Sequence, residues 1–199
     1  MRAPLLAGAA RDVERTVLKG VAPTRDVAIV LSGSFEYDNA QVLALRTVTL
    51  PLQSRLLDTI RQELGDTYGI TAAPDVEKFP RARYTVRVEW TCDPARTKAL
   101  VQRVFDEIAF VRDLRLSPNQ MALVRAGLLR EYESNSQDNA YLLREISRRY
   151  AEGDADRVEA VDRMPERVAA LTADTIHQAA QIYLDTTSYV MVTLAPEPK

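Results

Sequence analysis

Histidine and cysteine are almost missing from this chain: each occurs once in 199 residues. A zinc hydrolase centre usually takes two or three His ligands. Here only Cys92 and carboxylates stand ready to join His177, so the sequence points away from a zinc enzyme complete in itself. One cysteine cannot close an internal disulfide, and the fold therefore does not depend on an oxidising compartment. No run approaches the roughly 18 apolar residues of a membrane helix. The apolar stretch Pro4 to Ala10 follows one basic residue, Arg2, and contains Gly8. It reads as a disordered or loosely packed lead-in rather than a signal-peptide core. Neither sign of charge dominates: 26 Lys+Arg against 28 Asp+Glu leave a formal charge of -2. Nothing electrostatic invites nucleic acid. The P-loop, dinucleotide, nucleophile-elbow and C-x-x-C motifs are also absent.

What is present suits one α+β domain. The chain is 46% hydrophobic, and a chain of this length buries roughly 70% of its unfolded surface, enough to need no staple. Residues 1–25 read as a lead-in or linker ending in Gly20, Pro23 and Thr24, with Val17-Leu18 as a candidate short edge strand. Residues 26–199 form the domain. Val27 to Leu31 is a β-branched run stopped by Ser32-Gly33. Asp38 and Gln41 then start a helix whose apolar positions continue past Pro51 through Leu52, Leu56, Ile60 and Leu64. Proline disrupts a helix interior, so this stretch predicts two helices or one kinked helix, stopped at Gly65. Thr67 to Ala73 is a second strand, with Pro74 to Pro80 as a turn or irregular hairpin loop.

Arg83 to Cys92 is the clearest strand. Tyr84, Val86, Val88, Trp90 and Cys92 alternate with polar residues, giving one buried and one polar face. Asp93-Pro94 starts a helix, and Ser117-Pro118-Asn119-Gln120 starts another with a capping box. Further helices follow around Leu142 to Tyr150, Val158 to Met164 before Pro165, and Thr172 to Leu184; Tyr189 to Leu194 is the last strand. The order is β-α-β-β-α-(α-α-α)-β, whose core is the split βαβ of ferredoxin-like folds. It predicts an antiparallel or mixed sheet with helices packed on one face. His177 reads as a partly exposed structural residue, Cys92 as inert core, and the helical arginines as a solvated face.

One segment carries more. Ile60 to Ile70, IRQELGDTYGI, resembles the LREELGGTYGV segment in the C-terminal half of pitrilysin/insulinase-type zinc peptidases, the inverzincins. Gly33 with Phe35-Glu36-Tyr37 resembles their SGPFEY strand exit, Phe79-Pro80 with Tyr84 to Trp90 their P-x-x-Y strand, and Cys92-Asp93-Pro94 their C-x-P helix start. Asn139-Ala140-Tyr141, the Leu171-Thr172 to Tyr183-Leu184 helix and the strand before Pro196-Glu197 follow in the same order. The resemblance runs from about Lys19 to Glu197 and is nearest to the bacterial periplasmic type.

The resemblance implies a C-terminal substrate-binding domain of a zinc metalloendopeptidase. Zinc is then expected in an N-terminal domain or a partner subunit bearing H-x-x-E-H, a motif this chain cannot hold with one His. Arg61 and Tyr68 occupy the positions of the Arg and Tyr, seven residues apart, that such domains contribute to substrate binding and transition-state stabilisation. A guanidinium can hydrogen-bond a peptide carbonyl and a phenol can donate to a developing oxyanion. Read blandly, Arg61 complements a helix C-terminus and Tyr68 suits a strand. Arg83 and Arg87 are candidates to line the same chamber. The expected partners are a peptide substrate and the zinc-bearing unit, with no nucleic acid and no membrane span. The expected location is periplasmic or secreted where a parent chain carries a signal peptide, with the cytoplasm left open. Two rivals stand beside this reading: a non-catalytic structural or processing subunit of the same fold, and an unrelated ferredoxin-like ligand-binding or assembly domain.

Overall fold

Alternating apolar residues along two ten-residue strands build the centre of the sheet. The computed structural model describes residues 13–64, 69–153 and 163–197, with the side chains of 61–64 outside that description. Strand β2 (Arg25–Ser34) buries Val27, Ile29 and Leu31, and β4 (Arg83–Cys92) buries all five of its period-two apolar residues. The two pair antiparallel along their whole length, Val27 opposite Trp90 and Leu31 opposite Val86. Beyond β4 lies β3 (Ile70–Glu77), antiparallel to it; beyond β2 lies β5 (Tyr189–Ala195), also antiparallel. Strand β1 (Val13–Leu18) joins parallel to β5, which completes the mixed order β1-β5-β2-β4-β3. The predicted α+β class and the split βαβ order both hold.

Among the described residues six helices follow the strands: α1 (Asn39–Leu64), α2 (Thr97–Asp113), α3 (Pro118–Asn135), α4 (Asn139–Glu152), α5 (Met164–Ala170) and α6 (Ala173–Tyr183). Helix α1 packs on β3, α2 and α6, so its stripe Leu45, Val48, Leu52, Leu56 and Ile60 is almost fully buried. Each such side chain contributes about 1.5–3 kcal/mol. The polar side chains of β4, Arg87 and Glu89, stay exposed on the opposite face of the sheet. Local signals worked at the helix starts. Ser117 and Gln120 exchange the reciprocal hydrogen bonds of a capping box, and Thr172 accepts from the Thr175 backbone N–H at 3.0 Å.

Several local readings differ from the structure. Of the two readings at Pro51, two separate helices is overturned: α1 runs as one continuous 26-residue helix. An interior proline costs about 3 kcal/mol of helix propensity, but the buried stripe on both sides of Pro51 outweighs it. Nearby, the Thr47 and Thr49 hydroxyls donate back to the carbonyls of Leu43 and Arg46, at 2.7 and 2.8 Å. Among the described residues strand β3 runs from Ile70 through Pro74 to Glu77; Thr67 and Tyr68 of the predicted strand lie outside them. It is an edge strand, where a missing N–H can face outward without breaking the ladder. Pro165 lies in the first turn of α5, which needs no N–H from it; the helix predicted before it, at Val158 and Val161, lies outside the described residues. The stretch read as lead-in contains β1, longer than Val17-Leu18 alone; residues 1–12 lie outside the described residues.

The Gly33 motif owes its form to packing. A Cβ there would sit 2.8 Å from Tyr84 Cε1, and Tyr84 cannot swing away. Its ring is wedged against Tyr183 (centroids 4.8 Å apart) and Phe35 (6.4 Å), and its hydroxyl donates to the Ile182 carbonyl at 3.2 Å. Burial pushes the Tyr84 phenol up to about 12, with Asp185 and Tyr183 adding to the shift, so it stays neutral in this cluster. Gly33→Ala is expected to lower unfolding free energy by about 1–3 kcal/mol, the usual cost of overpacking, measured by urea denaturation. An unchanged urea midpoint would show that the ring has room to move.

Candidate functional site

Helix α1 and strand β3 form a corner, and the fold fixes both of its arms. On the helix arm, Arg55 Nε donates to Glu107 of α2 at 2.6 Å, and the Thr59 hydroxyl donates to the other Glu107 oxygen at 3.0 Å. Glu107 is only 5% exposed. The Arg55 guanidinium also lies 3.6 Å from the centre of the Phe110 ring, a cation–π contact. On the strand arm, the Gln53 side-chain amide donates to the Ile70 carbonyl at 3.1 Å and accepts from the Ala72 N–H. The start of β3 is thereby tied to the middle of α1.

Arg61 occupies the last turn of α1, as the sequence predicts. Its side chain, and all of Tyr68, lie outside the described residues. Gly69, the next residue, lines a groove of about 330 Å³ on the open face of the sheet. Val192 and Leu194, each 38% exposed, give that groove an apolar floor. Asp26 and Glu89 give it two carboxylates: Asp26 accepts from the Thr91 hydroxyl at 2.6 Å, and Glu89 pairs with Arg87 at 3.1 Å. An apolar strip beside hydrogen-bonding side chains, next to the corner, can hold an extended chain.

The structure puts Arg83 and Arg87 on that same open face. Arg83 is 2.8 Å from Glu77, and this hydrogen bond holds the Glu77 carboxyl below its ordinary value. His177 Nδ1 lies 3.3 Å from the Leu114 carbonyl, tying α6 to the α2–α3 connection. Cys92 is buried with its Sγ 3.6 Å from the Thr97 hydroxyl. Among the described residues no group of three or more His, Cys, Asp or Glu side chains could hold a metal ion, and no helix is long and apolar enough to cross a membrane.

Gln53 and Glu107 were missed in the sequence. Glu107 did leave a signal there: it falls within the apolar stripe Val104, Ile108 and Val111 of α2, where a charge needs a partner. Gln53 left none, since a polar residue on a long helix looks solvated until the strand beside it is known.

No protein-family model matches the chain, and no curated protein matches it. Solved structures do. The periplasmic protease PqqL from Escherichia coli superposes with a TM-score of 0.80 at 17% identity, over 98% of this chain and 22% of its own. A peptidase M16 inactive domain from Pseudomonas fluorescens gives 0.75 at 16%, over 98% of this chain and 48% of its own. A protein from Bordetella parapertussis, described as the inactive peptidase domain of a zinc protease, gives 0.67 at 14%, over 89% and 94%. The chain thus spans less than half of the first two neighbours. Likeness at these identities is likeness of fold, and the fold of this chain is that of M16-type, pitrilysin-like peptidase domains.

Proposed function

We propose that the chain is the C-terminal substrate-binding domain of a zinc metalloendopeptidase, contributing Arg61 and Tyr68 to peptide cleavage and no zinc ligands. The observation that carries this reading is the combination of an M16-type fold with a single histidine. A zinc-bearing N-terminal domain or partner subunit would supply a metal-activated water. On this side of the cleft, Arg61 donates to a substrate carbonyl and Tyr68 to the oxyanion. The groove beside Gly69 receives the substrate backbone. The periplasmic neighbour supports a periplasmic setting.

Two neighbours are described as inactive domains, which favours a second reading: a structural or processing subunit of the same fold that assembles with a zinc-bearing partner. Reconstitution separates the two. The chain is combined with the H-x-x-E-H unit of its parent or neighbouring gene, and cleavage of a fluorogenic peptide is followed. The proposed reading expects no cleavage by either part alone and cleavage by the pair. Full activity of the zinc-bearing unit alone sinks it and leaves the structural role.

A further inference from the structure

A cavity of about 470 Å³ opens between α1, the free edge of β3, α4 and α5. That volume falls in the range of roughly 300–1,000 Å³ typical of ligand sites. Three walls of different chemistry meet in it. The α1 wall sets apolar surface of Val42 and Leu50 beside the polar Arg46, Thr49 and Gln53; Leu50 is 45% exposed.

The β3 wall is backbone, Ala72 to Val76. Gln53 holds the carbonyl of Ile70 and the N–H of Ala72, so these groups point away from β4. Hydrogen-bonding direction alternates along a strand in an antiparallel ladder, and residues 74 and 76 therefore face outward with them. Pro74 lacks an N–H. Past Gln53 the edge offers three carbonyls, of Ala72, Pro74 and Val76, and one N–H, of Val76.

The helical wall reverses that balance. Four guanidinium groups line the cavity, Arg46 from α1 and Arg148, Arg149 and Arg167 from α4 and α5, with the carboxylates Asp75 and Glu145 beside them and Glu152 paired to Arg148 at 2.5 Å. Glu145 is already committed to Arg148 at 2.6 Å and Arg149 at 2.9 Å. Arg46 has one nitrogen on Glu131, which leaves donors of its five-donor fork to spare. The Tyr141 hydroxyl has no hydrogen-bond partner among the described residues. Acceptors are thus wanted at the helical wall, donors along the strand, and an apolar group between them.

We infer that this cavity binds the C-terminal end of a peptide. The free carboxylate meets Arg46 and Tyr141, the last side chain packs on Val42 and Leu50, and the preceding amides donate to the Ala72–Val76 edge. The choice of ligand class rests on the peptide-handling role proposed above. The site itself is distinct from the α1–β3 corner, and Gln53 stands between the two on the strand edge.

The test uses the 199-residue chain and a fluorescein-labelled pentapeptide ending in Val-Leu, as free acid and as C-terminal amide, followed by fluorescence anisotropy. The acid is expected to bind at least about tenfold more tightly than the amide, the worth of a charge-assisted hydrogen bond. Tyr141→Phe removes only the unpartnered hydroxyl and is expected to weaken the acid about three- to tenfold with little effect on the amide. Leu50→Asp, at an exposed position that folding tolerates, is expected to weaken both and the acid more. Equal affinity for acid and amide, a Kd unmoved by both substitutions, or a loss confined to Arg61→Ala overturns the cavity assignment and leaves the corner's role standing. The corner is judged separately, by cleavage.

Discussion

Arg61→Ala and Tyr68→Phe are each expected to lower kcat/KM of the reconstituted peptidase by about 100- to 1,000-fold, the loss measured when one oxyanion donor is removed from a hydrolase. The reason lies in when the bond matters. A carbonyl oxygen gains negative charge only as the water adds, so a fixed phenol donor stabilises the transition state more than the substrate. Tyr68→Phe should therefore fall mainly on kcat, because an interaction made only in the transition state leaves KM nearly alone. In the proposed role Arg61 would hold the substrate carbonyl before the reaction as well as during it, and Arg61→Ala should then raise KM too. Neither substitution should change the thermal unfolding of the chain by more than a few degrees, since a helix-end arginine contributes about 0.3–1 kcal/mol. Unchanged kcat/KM in both variants would remove the pair from the mechanism.

The second large effect concerns the bracket behind the corner. Arg55→Ala leaves Glu107, 5% exposed, without its 2.6 Å partner. Arg55 is 39% exposed and Glu107 keeps the Thr59 hydrogen bond, so the loss is expected below that of a fully buried pair, at about 1–3 kcal/mol, the cost of leaving one buried acceptor short of its partner. Arg103 Nε, 4.0 Å from Glu107 and one turn away on α2, is too distant to replace a direct hydrogen bond. Removing both charges is a different matter. Arg55→Met with Glu107→Leu fills the same space with apolar groups and is expected to restore most of the loss, as apolar replacement of buried ion pairs often does. Urea denaturation of the two single variants and the double variant measures the coupling directly. A double variant as unstable as Arg55→Ala would mean that the Phe110 contact and the Thr59 hydrogen bond, not the charge pair, hold α2 on α1. Because Arg61 follows Arg55 on the same helix, a loosened α1 should also blunt cleavage, and a rescue of stability without a rescue of kcat/KM would separate position from fold.

Much of the fold was legible because its signals are local. The two-residue period of Tyr84 to Cys92 marks a strand with one wet face whatever it pairs with. Ser117 and Gln120 mark a helix start within four residues. The candidate pair was legible in another way, through the likeness of IRQELGDTYGI and its neighbouring motifs to a known peptidase family. What failed were the places where local preference and tertiary packing disagree. Pro51 left a choice between two helices and one kinked helix, and a buried apolar stripe on both sides kept the helix continuous. Pro74 read as the start of a turn, yet it sits in an edge strand where its missing N–H has no partner to lose.

Composition by itself determined that the chain holds too few histidines for a zinc centre of the peptidase kind, and alternation by itself determined which face of β4 is buried. Both depend only on residue type and near neighbours. Only the tertiary structure decided that Glu107 answers Arg55, 52 residues away in the chain, that Gln53 occupies the edge of β3, and that Arg46 and Tyr141 line one cavity. Those pairings join side chains from different elements, and no period along the chain encodes the distance that packing closes between them.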